Sequence, residues 1–445
     1  MIFKTPPEKV KVGFLLNTAR KIINEGVIIK KFYQPRSYSD EPKLWQFSAK
    51  IMDLTRKSDA HWDAGYGGGA SFDKNKAIIK AVGEAIERYC LGYYKENELI
   101  LASYKELKSR SIPLNEVVSF SDSQLSRREF SDARWNEEDK FFWIEGYSIF
   151  ERKKVFIPAQ LVFVPYNFRK EKIIRLPIST GGAAGISLNE ALLRGILEVI
   201  ERDAFMIHYL SSSFGELIDI CGVSLLEDIK KYFEKYRLEL YLINLPTDIE
   251  VYNFLALIID KTGVGPAVSA GLKSGLDPLK VAMGAIEECW HSRPWIRDEL
   301  NKLPNMEKIL SEGKKLTEIK KRGLFWSSIK MVKYIKPWIT NKRRIKFSDL
   351  KSLSSDRTKT DLSYILDILK KTKHKVYYAD VTRPEVAKYG FKVLKVVIPS
   401  LHPLYLDEPY PYLGGKRIYE VPLKIGLKEK VLTEKELNKI PHFFL

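Results

Sequence analysis

The chain has 445 residues, of which 45% are hydrophobic and 29% are charged, the balance of a globular protein and not of a disordered or collagen-like one. Three cysteines, Cys90, Cys221 and Cys289, are too few for a disulfide framework or a four-thiolate zinc site. No stretch reaches the roughly 18 apolar residues of a membrane span, and residues 1–30 lack a signal-peptide pattern. We therefore expect a cytoplasmic protein without a membrane segment.

Positive charge exceeds negative charge, and the excess is unevenly distributed. The 74 Lys and Arg residues against 56 Asp and Glu give a net charge of +18. Residues 301–350 alone hold 11 Lys and 3 Arg against 3 Glu and 1 Asp. A run of like charges is usually a solvated surface. The alternative is a binding site for a polyanion or an acidic peptide. Aromatic residues stand nearby, but apolar neighbours predict that they are buried, and no nucleic-acid motif occurs.

The predicted elements alternate between helix and strand. Apolar periodicity predicts helices over 78–93 and 188–210. Asp277-Pro278 opens a third helix, to about residue 290, since proline is tolerated in a first turn. Strand-like apolar runs lie at 141–164, 238–245, 252–260, 376–380 and 392–397. The fold class is therefore mixed α/β, and we divide the chain into a lead-in (1–60), a core (61–420) that includes the basic region, and a tail (421–445).

The sequence contains an internal repeat in which a run of small residues precedes a helix with the pattern Glu-x-x-Glu-Arg. The small residues are GGGAS at 67–71 and GGAAG at 181–185, and we read both runs as turns. A shift of 114 residues superposes the two copies without gaps. Two copies are too few for a solenoid. They predict two halves that converge on one site.

The repeated helices place charged groups together, because residues i, i+3 and i+4 share a helix face. The groups are Glu84, Glu87 and Arg88 in the first copy and Glu198, Glu201 and Arg202 in the second. If the helices meet, two carboxylates about 4 Å apart repel by about 4 kcal/mol at an effective dielectric constant near 20. Divalent cations would offset this repulsion, and an oxygen shell favours Mg²⁺ shared with substrate phosphates.

One such helix alone is usually a salt-bridged surface face. Two copies behind small-residue runs favour a site instead, because small residues let backbone N–H groups and helix N-termini approach phosphate oxygens. The pattern predicts a magnesium–nucleotide site, and the sequence contains no P-loop motif.

These motifs resemble the YcaO family, and most of all the stand-alone YcaO subunit of azoline-forming peptide cyclodehydratases of the streptolysin type. The resemblance covers about residues 60–420. Besides the repeat, it rests on EALLRG at 190–195, VIPSLHP at 397–403 and GGKR at 414–417. It implies a YcaO-type fold in which the duplicated Gly-rich turn and helix converge on one nucleotide site.

The resemblance also implies ATP and Mg²⁺ as cofactors. The metal ligands that it implies are Glu84, Glu87, Glu198 and Glu201. The ATP- or phosphate-binding residues that it implies are Arg88, Ser187, Glu190, Arg202, Glu288, His291 and Arg293. It assigns no catalytic residue to the chain.

The chain departs from the family pattern at several positions. Lys80 stands where the family has a serine, and His291 stands where the third motif has a glutamine. Ile186, beside Ser187, replaces an asparagine. The C-terminal segment 440–445 (IPHFFL) has a single proline, whereas azoline-forming members often end in a Pro-rich tail that reaches the active site.

The leading functional hypothesis is ATP-dependent cyclodehydration of Cys, Ser or Thr in a ribosomal precursor peptide to thiazoline or oxazoline. An alternative keeps the amide activation but uses an external sulfur source and makes a thioamide. A second alternative is a scaffold that binds ATP or peptide without turnover, and nucleic-acid binding ranks last. By resemblance we expect a separate partner that binds the leader peptide, and a homodimer.

Overall fold

The structure is a computed structural model that describes residues 9–60, 65–169, 171–302 and 305–445. Its helices are α1 Lys9–Glu25, α2 Lys74–Leu91, α3 Tyr104–Leu107, α4 Asp122–Leu125, α5 Leu188–Leu210, α6 Ser224–Glu234, α7 Pro278–His291, α8 Arg293–Leu300, α9 Met306–Glu312, α10 Ile319–Ser327, α11 Val332–Ile339, α12 Thr358–Lys371, α13 Pro384–Ala387 and α14 Arg417–Lys424.

Its strands are β1 Ile29–Tyr33, β2 Trp45–Ile51, β3 Tyr66–Ser71, β4 Ile100–Ser103, β5 Lys140–Ser148, β6 Lys153–Pro158, β7 Gly182–Gly185, β8 Glu216–Asp219, β9 Leu238–Asn244, β10 Tyr252–Asp260, β11 Val268–Gly275, β12 Arg344–Lys346, β13 Tyr377–Asp380 and β14 Lys392–Val397. They form three sheets with the strand orders β1-β2-β3, β11-β10-β9-β8-β12 and β4-β5-β13-β14-β7, the last with β6 paired to β5. The mixed α/β class is confirmed.

Most predicted elements are present with bounds close to those predicted. Helix α5, β10 and β14 match at both ends. The predicted strand region 141–164 divides into β5 and β6, and the apolar run 161–164 is not a strand: its first residue ends a 3₁₀ turn over Ala159–Leu161. The lead-in supplies α1, β1 and β2, and β2 pairs with β3. The division at residues 60 and 420 stays a prediction.

The runs of small residues form strands, β3 and β7, and not the turns expected from glycine content. The physical reason is close packing of a helix on the strand. A Cβ at Gly67 would lie 2.7 Å from the Ala81 carbonyl oxygen of α2. The third helix repeats this arrangement, because a Cβ at Gly271 of β11 would overlap the backbone of α7 at Ala285 and Cys289. Glycine here lets helix and strand backbones touch.

Capping side chains fix where helices α2, α5 and α7 begin. Asp73 accepts the Lys76 N–H at the start of α2. Ser187 accepts the Glu190 N–H at the start of α5. Asp277 performs the same role for α7, whose first residue is the proline predicted there. Each cap satisfies donors that a helix N-terminus otherwise leaves free.

Helix α5 lies at the centre of the structure. Every residue from 203 to 210 is buried, and the helix contacts β7, β11, β14, α12 and α14. It therefore joins two of the sheets and holds its middle, which carries Glu198 and Glu201, between them. Within the described ranges, no helix is long and apolar enough to cross a membrane.

Candidate functional site

Carboxylates from α2, α5 and α7 converge on one region. Burial, followed by the charges of Glu198 and Glu84, raises the pKa of Glu87 well above its ordinary value. Burial and the charge of Glu201 raise the pKa of Glu288 to about 7. Like charges shift each other in this way only at short range. A Cβ at Gly182 of β7 would lie 3.1 Å from Oε1 of Glu87, so α2 of the first copy contacts the strand of the second copy. The ion contact of Arg202 with Glu288 brings α7 to the same region.

On the α2 side of the site, Arg88 and the backbone of β3 hold the carboxylate of Glu84. Glu84 accepts hydrogen bonds from the Gly68 N–H at 2.7 Å and the Arg88 Nε at 2.9 Å. Burial would raise the pKa of Glu84, but Arg88, His291 and the Gly68 N–H lower it on balance. His291 of α7 also lies against Gly68, where a Cβ would overlap its ring. Glu84, Arg88 and His291 are thus brought together.

The α5 side is organised around Arg202. Its guanidinium lies 3.7 Å from Glu198, 3.6 Å from Glu201 and 3.8 Å from Glu288. Glu201 is buried and accepts the Ser274 N–H of β11 at 2.9 Å. These carboxylates raise the Arg202 pKa against the effect of burial.

Two donors of Arg202, Nε and Nη1, are buried and have no hydrogen-bond partner among the described residues. Unpaired buried donors are costly. An anion at the site would satisfy them.

The C-terminal segment reaches this arginine. The ring of Phe444 lies 4.1 Å from the guanidinium carbon of Arg202, at a distance typical of a cation–π contact. His442, Phe443 and Phe444 are buried. The tail thus approaches the site although it lacks a Pro-rich end.

A buried lysine lies beneath the acidic pair of Glu87 and Glu198. Lys395 of β14 is 1% exposed and donates hydrogen bonds to the carbonyl oxygens of Thr180, at 2.7 Å, and Ile178. Burial lowers its pKa to about 7, against the pull of the two carboxylates. Sequence reasoning missed Lys395, because a lysine in an alternating strand is ordinarily read as solvent-facing.

Glu190 and Ser187 lie at the start of α5. Glu190 is buried, pairs with Arg194 at 2.7 Å and accepts the Ile186 N–H at 3.4 Å. Both Glu190 and Arg194 line a cavity between α1, α2 and the end of β7, with an apolar wall that includes Leu15 and Val82.

Arg293 and Lys80 have partners of their own. Arg293 is 1% exposed, donates to Glu41 at 2.7 Å and to the Pro266 carbonyl oxygen at 2.7 Å, and also pairs with Asp260. With its donors so engaged, it holds α8 in place, and we remove it from the proposed phosphate contacts. Lys80 pairs with the buried Glu287 at 2.5 Å.

The residues of the site fit Mg²⁺ that is shared with the phosphates of ATP. Within the described part of the chain, no three Asp, Glu, His or Cys side chains are grouped tightly enough to hold one ion by themselves. Mg²⁺ is usually bound by one or two carboxylates together with substrate phosphates. The pairs Glu84/Glu87 and Glu198/Glu201, with raised pKa values at Glu87 and Glu198 and the free donors of Arg202, fit that shared arrangement.

Comparison with known proteins identifies the family of the chain. Residues 68–402 match the family described as YcaO cyclodehydratase, ATP- and Mg²⁺-binding. The chain belongs to the YcaO family, a family of ATP-dependent enzymes. An uncharacterized protein of Methanothermobacter thermautotrophicus is 25% identical over 359 residues, which cover 79% of this chain and 84% of that protein.

Two solved structures share the fold. A heterocyclase in complex with substrate and cofactor superposes with a TM-score of 0.78 at 21% identity, over 97% of this chain and 57% of that one. This chain therefore spans little more than half the length of that heterocyclase. The YcaO protein of Methanopyrus kandleri, bound with AMPPCP and Mg²⁺, gives a TM-score of 0.63 at 17% identity, over 88% of this chain and 92% of that one.

Proposed function

We propose that the chain uses ATP to activate a backbone amide of a ribosomally made peptide and closes a Cys, Ser or Thr side chain onto it, which yields thiazoline or oxazoline. The observation that carries this proposal is the position of Arg202, which lies 3.6–3.8 Å from Glu198 and Glu201 of α5 and Glu288 of α7. Glu87 of α2 lies beside Gly182 of β7, within electrostatic range of Glu198. Such a set can bind metal-bound phosphates, and family membership makes ATP the nucleotide.

In this reaction the nucleophile is a side chain of the substrate peptide. The side-chain sulfur or oxygen loses its proton and attacks the preceding carbonyl carbon, and the amide nitrogen loses its proton as the C=N bond of the ring forms. One of these two protons leaves on the phosphate, and the other passes to solvent. The former carbonyl oxygen accepts the terminal phosphoryl group of ATP and leaves as phosphate. One peptide and one ATP thus give one ring, ADP and phosphate. The protein needs no nucleophile of its own, and its two buried cysteines, Cys90 and Cys289, have raised thiol pKa values because of burial.

The proposed roles of the chain's residues follow from their positions. Glu84, Glu87, Glu198 and Glu201 would hold Mg²⁺. Arg88 and Arg202 would hold phosphate oxygens, and His291 and Glu288 would contact the nucleotide from α7. Positioning and electrostatic stabilisation are the main contributions of an enzyme to phosphoryl transfer.

Glu190, Ser187 and the adjoining cavity favour a second contact with the nucleotide. Glu190 is 6% exposed at the N-terminus of a long helix and is tied to Arg194. We propose that this end of α5 binds ATP away from the paired carboxylates, with the apolar wall of the cavity beside it.

The proposed partners are a precursor peptide, a separate protein that binds its leader segment, and a second copy of this chain. Their support is the resemblance of the sequence to the stand-alone subunits of cyclodehydratases.

Mass spectrometry of the product tests the proposed reaction. A short Cys-, Ser- and Thr-rich precursor peptide is incubated with the protein, the partner that binds its leader segment, ATP and Mg²⁺. Cyclodehydration removes the mass of one water per ring. Replacement of oxygen by sulfur would instead identify the thioamide reaction and refute ring formation, and an unchanged peptide with nucleotide bound would favour a scaffold.

The matched variants are Glu201→Gln and Glu145→Gln. Glu201 is buried beside Arg202, whereas Glu145 is an exposed partner of Lys154. We expect Glu201→Gln to abolish ring formation and Glu145→Gln to retain it. Equal ring formation by both variants would remove Glu201 from the proposed metal ligands.

A further inference from the structure

The strand β12 forms one edge of the five-stranded sheet. It ends the strand order and pairs in parallel with β8. The Leu217 N–H of β8 donates to the Arg343 carbonyl oxygen at 2.9 Å. Successive residues of a strand turn their backbone groups alternately to the two sides, so those of Arg344 and Lys346 point away from β8. An open edge of this kind can pair with a further strand.

Six exposed cations lie on β12 and in the segment that leads into it: Lys333 and Lys336 of α11, Lys342 and Arg343 of the connection, and Arg344 and Lys346 of β12. We call these six residues with β12 the basic edge. Within the described ranges, none of the six forms an ion pair with a carboxylate. Residues 328–348 contain no Asp or Glu.

The remainder of the basic region differs, because most of its described cations are paired. The pairs are Lys302–Glu299, Lys320–Glu299, Lys321–Glu318, Arg322–Glu408 and Lys330–Glu307. The excess of positive charge seen in the sequence is therefore concentrated at the basic edge.

An ordered support holds the basic edge in place. Trp338 of α11 is buried and stacks on Tyr209 with ring centroids 6.3 Å apart. Asn341 donates to the Gly215 carbonyl oxygen at 2.6 Å, and Arg343 donates to the Gly426 carbonyl oxygen at 3.0 Å. Arg343 is thus anchored, and the cations at 342, 343, 344 and 346 follow one another in the chain, where like charges repel and an acidic partner would relieve that repulsion.

We propose that the basic edge binds an acidic segment of a partner polypeptide, which adds to the sheet as an extended strand beside β12. The backbone edge favours a polypeptide over a nucleic acid. Nucleic-acid binders stack bases on exposed aromatic rings. Of the aromatic residues at 325, 326, 334 and 338, three are buried, and Tyr334, 39% exposed, is a single ring and not a stacking surface. The proposal concerns binding and does not depend on the reaction proposed for the carboxylate site.

The test measures binding of a defined probe to the full chain by fluorescence anisotropy. The probe is a labelled peptide of about ten residues, longer than the common strand, with alternating glutamate and threonine. A second peptide has proline in place of threonine and cannot donate the backbone hydrogen bonds of an added strand. A third probe is a single-stranded RNA of similar charge.

Two variants carry the same change in net charge. One has Lys342→Glu, Arg344→Glu and Lys346→Glu at the basic edge. The control has Lys105→Glu, Lys108→Glu and Lys154→Glu, which are exposed and paired lysines elsewhere. Thermal unfolding checks both folds. If the first variant does not fold, glutamine replaces glutamate at the three positions of both variants, so that their net charges stay matched.

We expect the edge variant to bind the glutamate–threonine peptide about tenfold more weakly than the unchanged chain, as loss of several exposed ion pairs predicts. The control variant should bind this peptide with an affinity within about twofold of the unchanged chain. The unchanged chain should bind the proline peptide about tenfold more weakly than the glutamate–threonine peptide. Equal weakening by both variants, or equal binding of the two peptides, would overturn the proposal. Binding of RNA without binding of peptide would also overturn it.

Discussion

Replacing Glu288 by Gln should stabilise the protein when Mg²⁺ and nucleotide are absent. In the folded chain, burial and Glu201 raise the pKa of Glu288 to about 7, from an ordinary 4.5. The folded state thus binds this proton more tightly than the unfolded state does. The free energy of unfolding therefore falls as pH rises from 4.5 towards 7, and the loss is complete above 7.

The size of this change in the free energy of unfolding follows from the ordinary and the raised pKa of Glu288. The difference between 4.5 and about 7 corresponds to about 3 kcal/mol if it is retained in full. Because 35% of the Glu288 side chain is exposed and Arg202 lies only 3.8 Å away, solvent screening and the lost ion pair reduce the net gain. We expect Glu288→Gln to gain about 1 kcal/mol at pH 8 and less at pH 5.

Urea unfolding in EDTA at both pH values measures this gain, with Glu145→Gln as the control. Glu145 is an exposed partner of Lys154, and its replacement should change stability little at either pH. A Glu288→Gln variant that is less stable than the unchanged chain at pH 8, or equally affected at both pH values, would refute the electrostatic account of the site.

Substitutions at two further positions, Phe444 and Gly68, test the residues that pack against Arg202 and His291. Phe444→Ala should cost about 3–5 kcal/mol of unfolding free energy, since the ring is 2% exposed, and should weaken ATP binding because Arg202 loses its stacked ring. Phe444→Leu should lose less stability yet weaken ATP binding similarly, and unchanged ATP affinity in both would contradict this role. Gly68→Ala should displace His291 and lower ATP affinity in calorimetry, whereas Gly13→Ala in α1, where a Cβ meets open space, should leave affinity unchanged.

The sequence predicted the site mainly through local patterns. The i, i+3, i+4 spacing placed Glu84, Glu87 and Arg88 on one face, and its repeat at Glu198 and Glu201 predicted convergence. In the structure, Glu87 of the first copy lies against Gly182 of the second copy. Periodicity also defined α5 and β10, because each has a continuous buried face.

Long-range packing determines what the sequence did not reveal. The glycine runs are strands and not turns, since their conformation depends on helices packed directly on them. Arg293 matched a motif by spacing, but its ion partners Glu41 and Asp260 are distant in sequence. Lys395 and Phe444 contribute to the site from β14 and from the C-terminal end, and no local pattern marks either residue.

Titration of ATP into the chain by calorimetry, with and without Mg²⁺, tests the central claim most directly. If paired carboxylates of α2 and α5 bind metal-bound ATP together, binding should require Mg²⁺. Glu87→Gln and Glu198→Gln should each then weaken it by at least about tenfold, the loss of about 1.4 kcal/mol. Mg²⁺-independent binding of equal affinity in all three proteins would contradict the claim.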